Sequence, residues 1–399
     1  MAERKKIAAI VSEYRPRSHA DVIVSKFLRG FPTDEGWINP RVEIASIHFD
    51  QPGNSDLGRE MAAAHDVPIF DIMIDALTLG GEKLAVDGVL SICEHGKYAW
   101  SEKEQYLYPR RHFIEQICGV MSTSGRAVPI FNDKHLSYNW PDAKWMYDRT
   151  QELGAPFMAG SSVPLMWRNP WLEHDGDELK ETVTIGFHGL ETYGIHALEP
   201  MQAMVERRKG GETGVSAVTC LEGAEVWEAA KRGEWSRELL QTAWNAITEK
   251  PEGLIEKLSP EPALFVIEYC DGLKSAVIIL QRGIVSDWAY AAQNVSGDVM
   301  ATEFNHFRGL DPMQIANAHF SYLGLNIEEM FLTGAPAYPV ERTLLTSGIL
   351  AAAMDSRYAG HQRLETDWLS TIEYDSYREL RWRPTSPHPT GASIEVWER

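Results

Sequence analysis

The sequence predicts an α/β fold with a doubly wound parallel sheet in its N-terminal half and a strand-rich α+β region behind it. In residues 6–160, short apolar runs alternate with helical stretches, which is typical of a parallel sheet with helices on both faces. In the second half, strand-like runs follow one another more directly, and Asp271-Gly272 is a hairpin-type turn between two of them. A chain of 399 residues suits two domains, which we expect at 1–160 and 161–382, with an extended arm at 383–399.

Each predicted strand is a short apolar run bounded by polar or turn residues. In the first half these runs are 6–11, 42–48, 67–70, 86–93, 128–131 and 157–160. Helices are expected between them at 18–31, 55–64, 109–121 and 141–153, the first capped by Ser18 with Asp21 closing a capping box. In the second half, strands are predicted at 182–187, 215–220, 263–270, 275–282 and 285–290, and helices from 192 onwards, at 313–330 and at 340–358.

Composition excludes several classes of protein. The formal net charge of -19 argues against a sequence-independent nucleic-acid binder, which needs a basic face. The four cysteines are far apart and form no C-x-x-C pair, which fits a reducing compartment. No apolar run is long enough for a signal-peptide core or a membrane span. We therefore expect a soluble cytoplasmic protein with no nucleic-acid or membrane partner. The net charge leaves room for a small anionic substrate, because a local basic pocket can exist on an acidic protein.

Polar residues follow four of the predicted parallel strands. They are Ser12-Glu13-Tyr14, Asp50, Glu94-His95 and Asn132-Asp133-Lys134-His135. Right-handed crossovers place all carboxyl ends of such strands on one edge, where open α/β sheets bind ligands. Lys134 and His135 are the strongest candidates for chemistry, although each residue alone could equally be an ordinary loop charge.

The turn after the first strand has no glycine, whereas a dinucleotide site normally has G-x-G-x-x-G there. Candidate anion or cofactor ligands in this turn are Ser12, Tyr14, Arg15 and Ser18, together with the helix N-terminus. The alternative is a solvated basic turn. Asp50 ends the second strand, where an acid can bind a ribose, or it simply opens the turn before Pro52.

A second group of candidates lies beyond residue 160. Trp167 and Arg168 occupy a segment of little periodicity that could contact a ligand or cover the core. Farther on come His188, Glu191, Thr192, Tyr193 and His196. His196 and Glu199 are three residues apart and can face each other on one helix. His188, Glu191 and His196 could also converge on a metal, but their spacing matches no established metal motif.

Two motifs resemble the glucose–fructose oxidoreductase/inositol dehydrogenase/rhizopine catabolism family (Gfo/Idh/MocA). The family's Glu-Lys-Pro after the fifth strand resembles Asp133-Lys134-His135, which is followed by the same helix and a Glu-Leu-Gly turn. The family's Gly-Gly-x-x-x-Asp-x-Gly-x-His resembles the stretch 188–196. The resemblance covers roughly residues 6–360 and implies an N-terminal Rossmann domain and a C-terminal domain built on an open, largely antiparallel sheet.

The resemblance also implies a function. Lys134 and His196 match the family's proton-transfer lysine and histidine, and NAD or NADP would accept the hydride from a sugar hydroxyl. Glu191 and His135 would be further catalytic residues, and Glu94, His95 and Asp133 would belong to the cofactor-binding residues. The residues that contact the substrate would be Trp167, Arg168, His188, Thr192 and Tyr193. Three departures stand out: the glycine-rich loop is absent, the family's catalytic Asp falls on Thr192 beside Glu191, and its Pro becomes His135.

Three hypotheses remain open on the sequence. The first is an NAD(P)-dependent oxidoreductase acting on a sugar, cyclitol or related polyol. The second is a lyase, epimerase or hydrolase of a sugar derivative on the same scaffold, without a dinucleotide and with or without a divalent metal. The third is a non-catalytic sensor. The open second sheet predicts a homodimer or homotetramer, because an exposed apolar face needs covering.

Overall fold

The computed structural model describes residues 4–33, 36–305, 318–376 and 380–384. Its strands are β1 Lys6–Val11, β2 Phe31–Thr33, β3 Gly36–Ile38, β4 Glu43–Phe49, β5 Ile69–Phe70, β6 Gly88–Ile92, β7 Ile130–Asp133, β8 Phe157–Gly160, β9 Trp167–Asn169, β10 Leu179–Phe187, β11 Val215–Glu222, β12 Ala263–Tyr269, β13 Lys274–Leu280, β14 Trp288–Asn294, β15 Val299–Asn305 and β16 Leu364–Glu365. Its helices are α1 His19–Arg29, α2 Asp56–Ala64, α3 Met73–Thr78, α4 Arg110–Ser124, α5 Trp140–Glu152, α6 Leu190–Val205, α7 Ala224–Lys231, α8 Arg237–Ala246, α9 Ile255–Leu258, α10 Ala318–Thr333 and α11 Glu341–Tyr358.

The N-terminal sheet confirms the predicted doubly wound architecture. Its six strands lie in the order β5-β4-β1-β6-β7-β8, and every neighbouring pair is parallel. This is the strand order of a Rossmann fold, in which the chain reverses direction across the sheet beside β1. The carboxyl ends of β1, β6 and β7 are therefore neighbours, which brings the polar residues after them to one crevice.

The C-terminal sheet has eight strands in the order β16-β11-β12-β13-β10-β14-β15-β9. Only β10 and β13 pair in parallel; the other neighbouring pairs are antiparallel, as predicted for this half. Helix α6 packs on β10 and β13, and α11 packs on α6 and β11. Because α6 leaves the sheet directly after β10, its first turn is held at the end of that strand.

Several predicted boundaries shift. The first helix ends at Arg29 instead of residue 31, because Gly30 leaves helical geometry at φ +130 and Phe31 begins a small antiparallel hairpin of β2 and β3. The sequence patterns missed both hairpin strands, and also β9, β15 and β16. Helix α6 begins two residues earlier than predicted. The predicted helix at 313–330 is α10, whose preceding residues 306–317 lie outside the described chain.

Helix α10 belongs to the second half of the chain but packs against the N-terminal half. It contacts α1 and β2, and Phe331 lies so close to Gly88 of β6 that a Cβ there would be 2.6 Å from the ring. The domain boundaries at 160 and 382 remain predictions, and most of the predicted arm lies outside the described residues. The homo-oligomer also remains a prediction, because one chain is described. None of the helices in the described ranges is long and apolar enough to cross a membrane.

Candidate functional site

The centre of the site is a buried ion triad at the carboxyl ends of β6 and β7. Lys134 Nζ donates to Glu94 Oε1 at 2.8 Å, and Arg110 from the start of α4 donates to Glu94 Oε2. Burial alone would raise the pKa of Glu94, but Lys134 and then Arg110 outweigh it and hold that pKa well below 4.5. Glu94 is therefore a carboxylate that fixes two cations.

Backbone geometry and hydrogen bonds restrain the position of Lys134. Its φ of +62 turns the chain sharply after β7, and its N–H donates to the Gly160 carbonyl at 3.1 Å. Nζ also donates to the backbone carbonyl of Thr192 on α6 at 3.1 Å. The ammonium therefore joins the parallel sheet to the first turn of α6. An ammonium has three donors, so one remains for another acceptor.

His135 and Glu191 form a second buried pair beside the triad. His135 Nε2 lies 3.5 Å from Glu191 Oε1 and 3.3 Å from an Arg110 nitrogen. Burial and then the positive charge of Arg110 lower the pKa of His135, so the ring is neutral at pH 7. Neither carboxylate oxygen of Glu191, nor His135 Nδ1, has a hydrogen-bond partner among the described residues. These polar atoms are available for a hydrogen bond to a bound ligand.

The structure also brings in His19, which the sequence analysis did not single out. It is the first residue of α1, and its Nδ1 lies 2.6 Å from Asp133 Oδ2. Its ring centroid is 5.2 Å from that of His95 and 6.3 Å from that of His196. The available signal was the Ser18 cap, which sets His19 at the carboxyl edge of β1.

His196 lies in the second turn of α6 and is buried. Burial, and next the charge of Lys134, lower its pKa well below 6.5, so it is neutral, and its Nδ1 has no hydrogen-bond partner within the described chain. Tyr193 packs edge-on against it at 5.5 Å. Glu199 does not serve His196 as the sequence suggested; its Oε2 accepts from the Ser161 N–H at 2.6 Å.

The suggested metal set is wrong. His188 Nδ1 accepts from the Gly189 N–H at 2.7 Å, and its ring stacks on Tyr193 at 4.4 Å. Glu191 instead faces His135. In residues 4–33, 36–305, 318–376 and 380–384, no three His, Cys, Asp or Glu side chains are arranged to hold a metal ion.

The backbone of the turn after β1 makes hydrogen bonds within the protein. Four of its backbone N–H groups already donate: Ser12 to Ile92 O, Tyr14 to Ser55 Oγ, Arg17 to Asp21 Oδ2 and Ser18 to Arg15 O. The N–H of His19, at the start of α1, donates to His95 Nδ1. The Glu13 carboxylate is buried in the same turn and accepts from Arg15 Nε at 2.5 Å. A glycine-rich loop instead offers free N–H groups to a pyrophosphate. These residues therefore do not fit a pyrophosphate in that way.

Of the remaining cofactor and substrate candidates, Ser12 contacts the cluster, whereas Asp50, Tyr14 and Arg168 have partners elsewhere. Ser12 lies in the site, where its Oγ donates to the Glu94 carbonyl at 2.7 Å. Asp50 is exposed and accepts from Tyr98 OH at 2.7 Å. The Tyr14 ring lies in the core, with its hydroxyl 2.6 Å from Ser25 Oγ. Arg168 is buried at the far edge of the second sheet and donates to the Leu172 carbonyl, and Trp167 beside it is also buried.

A cavity of about 410 Å³ opens beside the cluster. Its lining combines charged groups, aromatic rings and the first turn of α6: Glu13, Arg15, His95, Gly96, Lys97, Trp100, Tyr106, Tyr108 and Thr192. Thr192 and His95 connect it to Lys134 and His19. Burial and then His19 lower the pKa of His95 to about 3, so this wall of the cavity is a neutral imidazole at pH 7.

No family model matches the sequence, and no curated protein matches it. Solved structures do match, with sequence identities that support the fold alone. GenD2 from gentamicin A biosynthesis, in complex with NAD, has a TM-score of 0.59 at 13% identity and covers 92% of this chain and 97% of its own.

Two inositol dehydrogenases are similar to the same extent. A myo-inositol dehydrogenase from Corynebacterium glutamicum has a TM-score of 0.56 at 11% identity, with 92% of this chain and 99% of its own covered. A scyllo-inositol dehydrogenase from Lactobacillus casei has a TM-score of 0.54 at 9% identity, with 91% and 98% covered. These structures thus confirm the fold that the resemblance implied, a Rossmann domain followed by a domain with a largely antiparallel sheet, over nearly the whole chain.

Proposed function

We propose that the protein is an oxidoreductase acting on a hydroxyl group of a sugar, cyclitol or related polyol. The observation on which the proposal depends is the Lys134 ammonium, held at the ligand edge of the parallel sheet by Glu94 and the Thr192 carbonyl. The similar structures add support, since their names describe inositol dehydrogenases and a protein in complex with NAD. Fold alone does not fix function, so the chemistry of the site carries the greater weight.

In this proposal Lys134 exchanges a proton with the substrate hydroxyl. Its third N–H is directed by two fixed acceptors, which orients it before substrate arrives. His196 is neutral and can accept or return a proton next to it. Glu191 and His135 offer unpaired polar atoms to the other hydroxyls of a polyol. Thr192, which lines the cavity, would contact the substrate together with Tyr193 and His188, whose rings stack on each other.

NAD or NADP is the hydride acceptor that the similar structures suggest, but the turn after β1 has no glycine and most of its backbone donors are paired, so it does not offer the usual cradle. If a dinucleotide binds, side chains such as Arg15 must hold it in place of backbone donors, with Asp50 next to the ribose. This observation favours a second candidate: an epimerase, lyase or hydrolase of a sugar derivative, in which Lys134, His135, Glu191 and His196 transfer protons without a dinucleotide.

One pair of measurements tests both candidates. The full chain is unfolded thermally with NAD, NADP, NADH and NADPH; a ligand at a hundredfold its Kd adds about 2.7 kcal/mol of stability. In parallel, myo-inositol and glucose are incubated with the protein in deuterium oxide, with and without dinucleotide, and analysed by mass spectrometry.

A thermal shift with dinucleotide-dependent oxidation supports the first candidate. Deuterium entering carbon positions, or an epimer or elimination product formed without dinucleotide, supports the second. No shift and no change in any polyol tested contradicts both.

A further inference from the structure

His19 and Asp133 form a histidine–carboxylate pair that no part of the resemblance describes. They lie 114 positions apart in the chain, and the parallel sheet brings them together at 2.6 Å between Nδ1 and Oδ2. The Asp133 side chain is fully buried, whereas that of His19 is 13% exposed. The other Asp133 oxygen has no hydrogen-bond partner among the described residues. The carboxylate is therefore committed to one imidazole.

This contact fixes the form of the imidazole. A carboxylate only accepts hydrogen bonds, so Nδ1 carries the hydrogen and Nε2 keeps its lone pair in the neutral ring. Nδ1 makes the only hydrogen bond that the described residues give to this ring. In histidine–carboxylate pairs of enzymes, the acid sets the tautomer and stabilises the imidazolium that forms during proton transfer.

The pair belongs to the same electrostatic cluster as Lys134. When it is protonated, His19 acts on Glu94, although less than Lys134 and Arg110 do. In that form it also contributes to the lowered pKa of His95, after burial, and of His196, after burial and Lys134. Because such interactions weaken with distance, His19 lies within reach of the groups that surround the proposed substrate.

The position of His19 also accounts for the altered turn. In dinucleotide-binding folds, the N-terminus of the first helix faces the pyrophosphate. Here the backbone N–H of His19 donates to His95 Nδ1 at 3.4 Å, and the side chain of the same residue takes the edge of the crevice. The helix start thus presents an imidazole where related folds present free backbone donors.

We infer that His19 is a further proton-transfer residue of this site, besides Lys134 and His196, and that Asp133 is its positioning residue. The assignment rests on the proposed function, and it applies to either candidate reaction. In the step, Nε2 takes the proton of a substrate hydroxyl: the O–H bond breaks, an N–H bond forms, and the electron pair stays on oxygen. The imidazolium so formed is stabilised by Asp133 and returns the proton in the reverse direction.

The first test measures the imidazole itself and needs no substrate. In ¹⁵N-histidine-labelled full-length protein, NMR should show His19 with hydrogen on Nδ1. His48 is an internal control, since its Nδ1 lies 3.0 Å from a neutral acceptor, the Phe70 carbonyl. Diethyl pyrocarbonate labelling, mapped by mass spectrometry, should modify His19 faster than His48. Asp133→Asn should slow His19 labelling about tenfold, as expected from loss of the charged partner, and leave His48 unchanged.

The second test uses the polyol turned over in the assays above. His19→Gln should lower kcat by about 10²-fold or more, the usual size of an acid–base contribution, with a smaller change in KM. His19 with hydrogen on Nε2, or a labelling rate that Asp133→Asn does not alter, would overturn the assignment whatever the protein catalyses. Wild-type kcat in folded His19→Gln would overturn it too. Failure to find any polyol substrate would count against the proposed function, while the tautomer and labelling results still decide the pair.

Discussion

Two stretches of one sheet edge differ in how their polar groups are satisfied. In the turn at 12–18, backbone donors are paired with Ile92, Ser55, Asp21 and Arg15. In the cluster after β6 and β7, several buried polar atoms have no hydrogen-bond partner in the described part of the chain: both Glu191 oxygens, Asp133 Oδ1, His135 Nδ1 and His196 Nδ1. The backbone donors named in the first stretch are paired within the described chain, whereas these side-chain atoms of the second stretch are not.

This difference distinguishes residues that stabilise the fold from residues that are available to a ligand. A buried polar atom without a partner costs about 1–3 kcal/mol, and native proteins contain few of them. At a ligand edge, such atoms are available to groups that bind from outside. The turn, where related folds bind a pyrophosphate, has instead become part of the scaffold.

The largest expected effect on stability comes from Glu94. Glu94→Gln leaves Lys134 and Arg110 buried without their shared counter-charge, so the free energy of unfolding should fall by about 3–5 kcal/mol. Urea denaturation measures this change. The matched control is Glu115→Gln, whose ion pair with Arg111 is exposed and should contribute at most about 1 kcal/mol. Equal effects of the two substitutions would show that the triad is not a buried ion cluster.

Glu199 should make stability depend on pH. Burial raises its pKa from 4.5 to about 7, although the Ser161 N–H opposes the shift. The folded protein therefore keeps a proton that the unfolded chain loses. Stability should fall as the pH rises from about 4.5 to 7, by about 3 kcal/mol from this group.

Glu199→Gln keeps the hydrogen bond from Ser161 but removes the titration. Its unfolding free energy should vary less over this pH range than that of the wild type, measured by urea denaturation at several pH values. Exposed Glu152→Gln serves as control. The same pH slope in Glu199→Gln and wild type would exclude Glu199 as its source.

Glu191 should behave in the opposite way to Glu94. Because its carboxylate is buried without a hydrogen-bond partner in the described residues, Glu191→Leu should raise the free energy of unfolding by about 1–3 kcal/mol. Activity on the polyol should fall at the same time. Thermal unfolding and turnover, measured on one preparation, test whether stability rises while activity falls. A loss of stability would show that His135 and Glu191 stabilise the fold as a pair.

The smallest effect concerns the turn. Ser55→Ala removes the acceptor of the Tyr14 N–H and should cost about 1 kcal/mol, the net contribution of one hydrogen bond. Since the turn is scaffold, kcat should stay within about twofold, equivalent to less than 0.5 kcal/mol. Exposed Ser296→Ala is the control in denaturation and turnover assays. A large drop in kcat would place the turn in the active site after all.

The sequence was informative where one local pattern determines the outcome. Alternating apolar runs predicted the parallel sheet, and strand ends predicted that Glu94, Asp133 and Lys134 share one edge. It could not show which side chains pair, because His19 meets Asp133 and His135 meets Glu191 only after distant elements fold together. Saturation of the turn was equally hidden, since Ser55 comes from the start of another helix. Short strands such as β2 and β9 depend on tertiary pairing more than on their own residues.

The central claim is that the Lys134 cluster is a catalytic site and not only a structural ion network. Its most direct test compares kcat of wild type, Lys134→Met and the exposed control Lys144→Met on the polyol that the wild type converts, after circular dichroism confirms that all three are folded. We expect Lys134→Met to lose about 10²–10⁴-fold in kcat and Lys144→Met to match the wild type. Folded Lys134→Met with wild-type kcat would contradict the account.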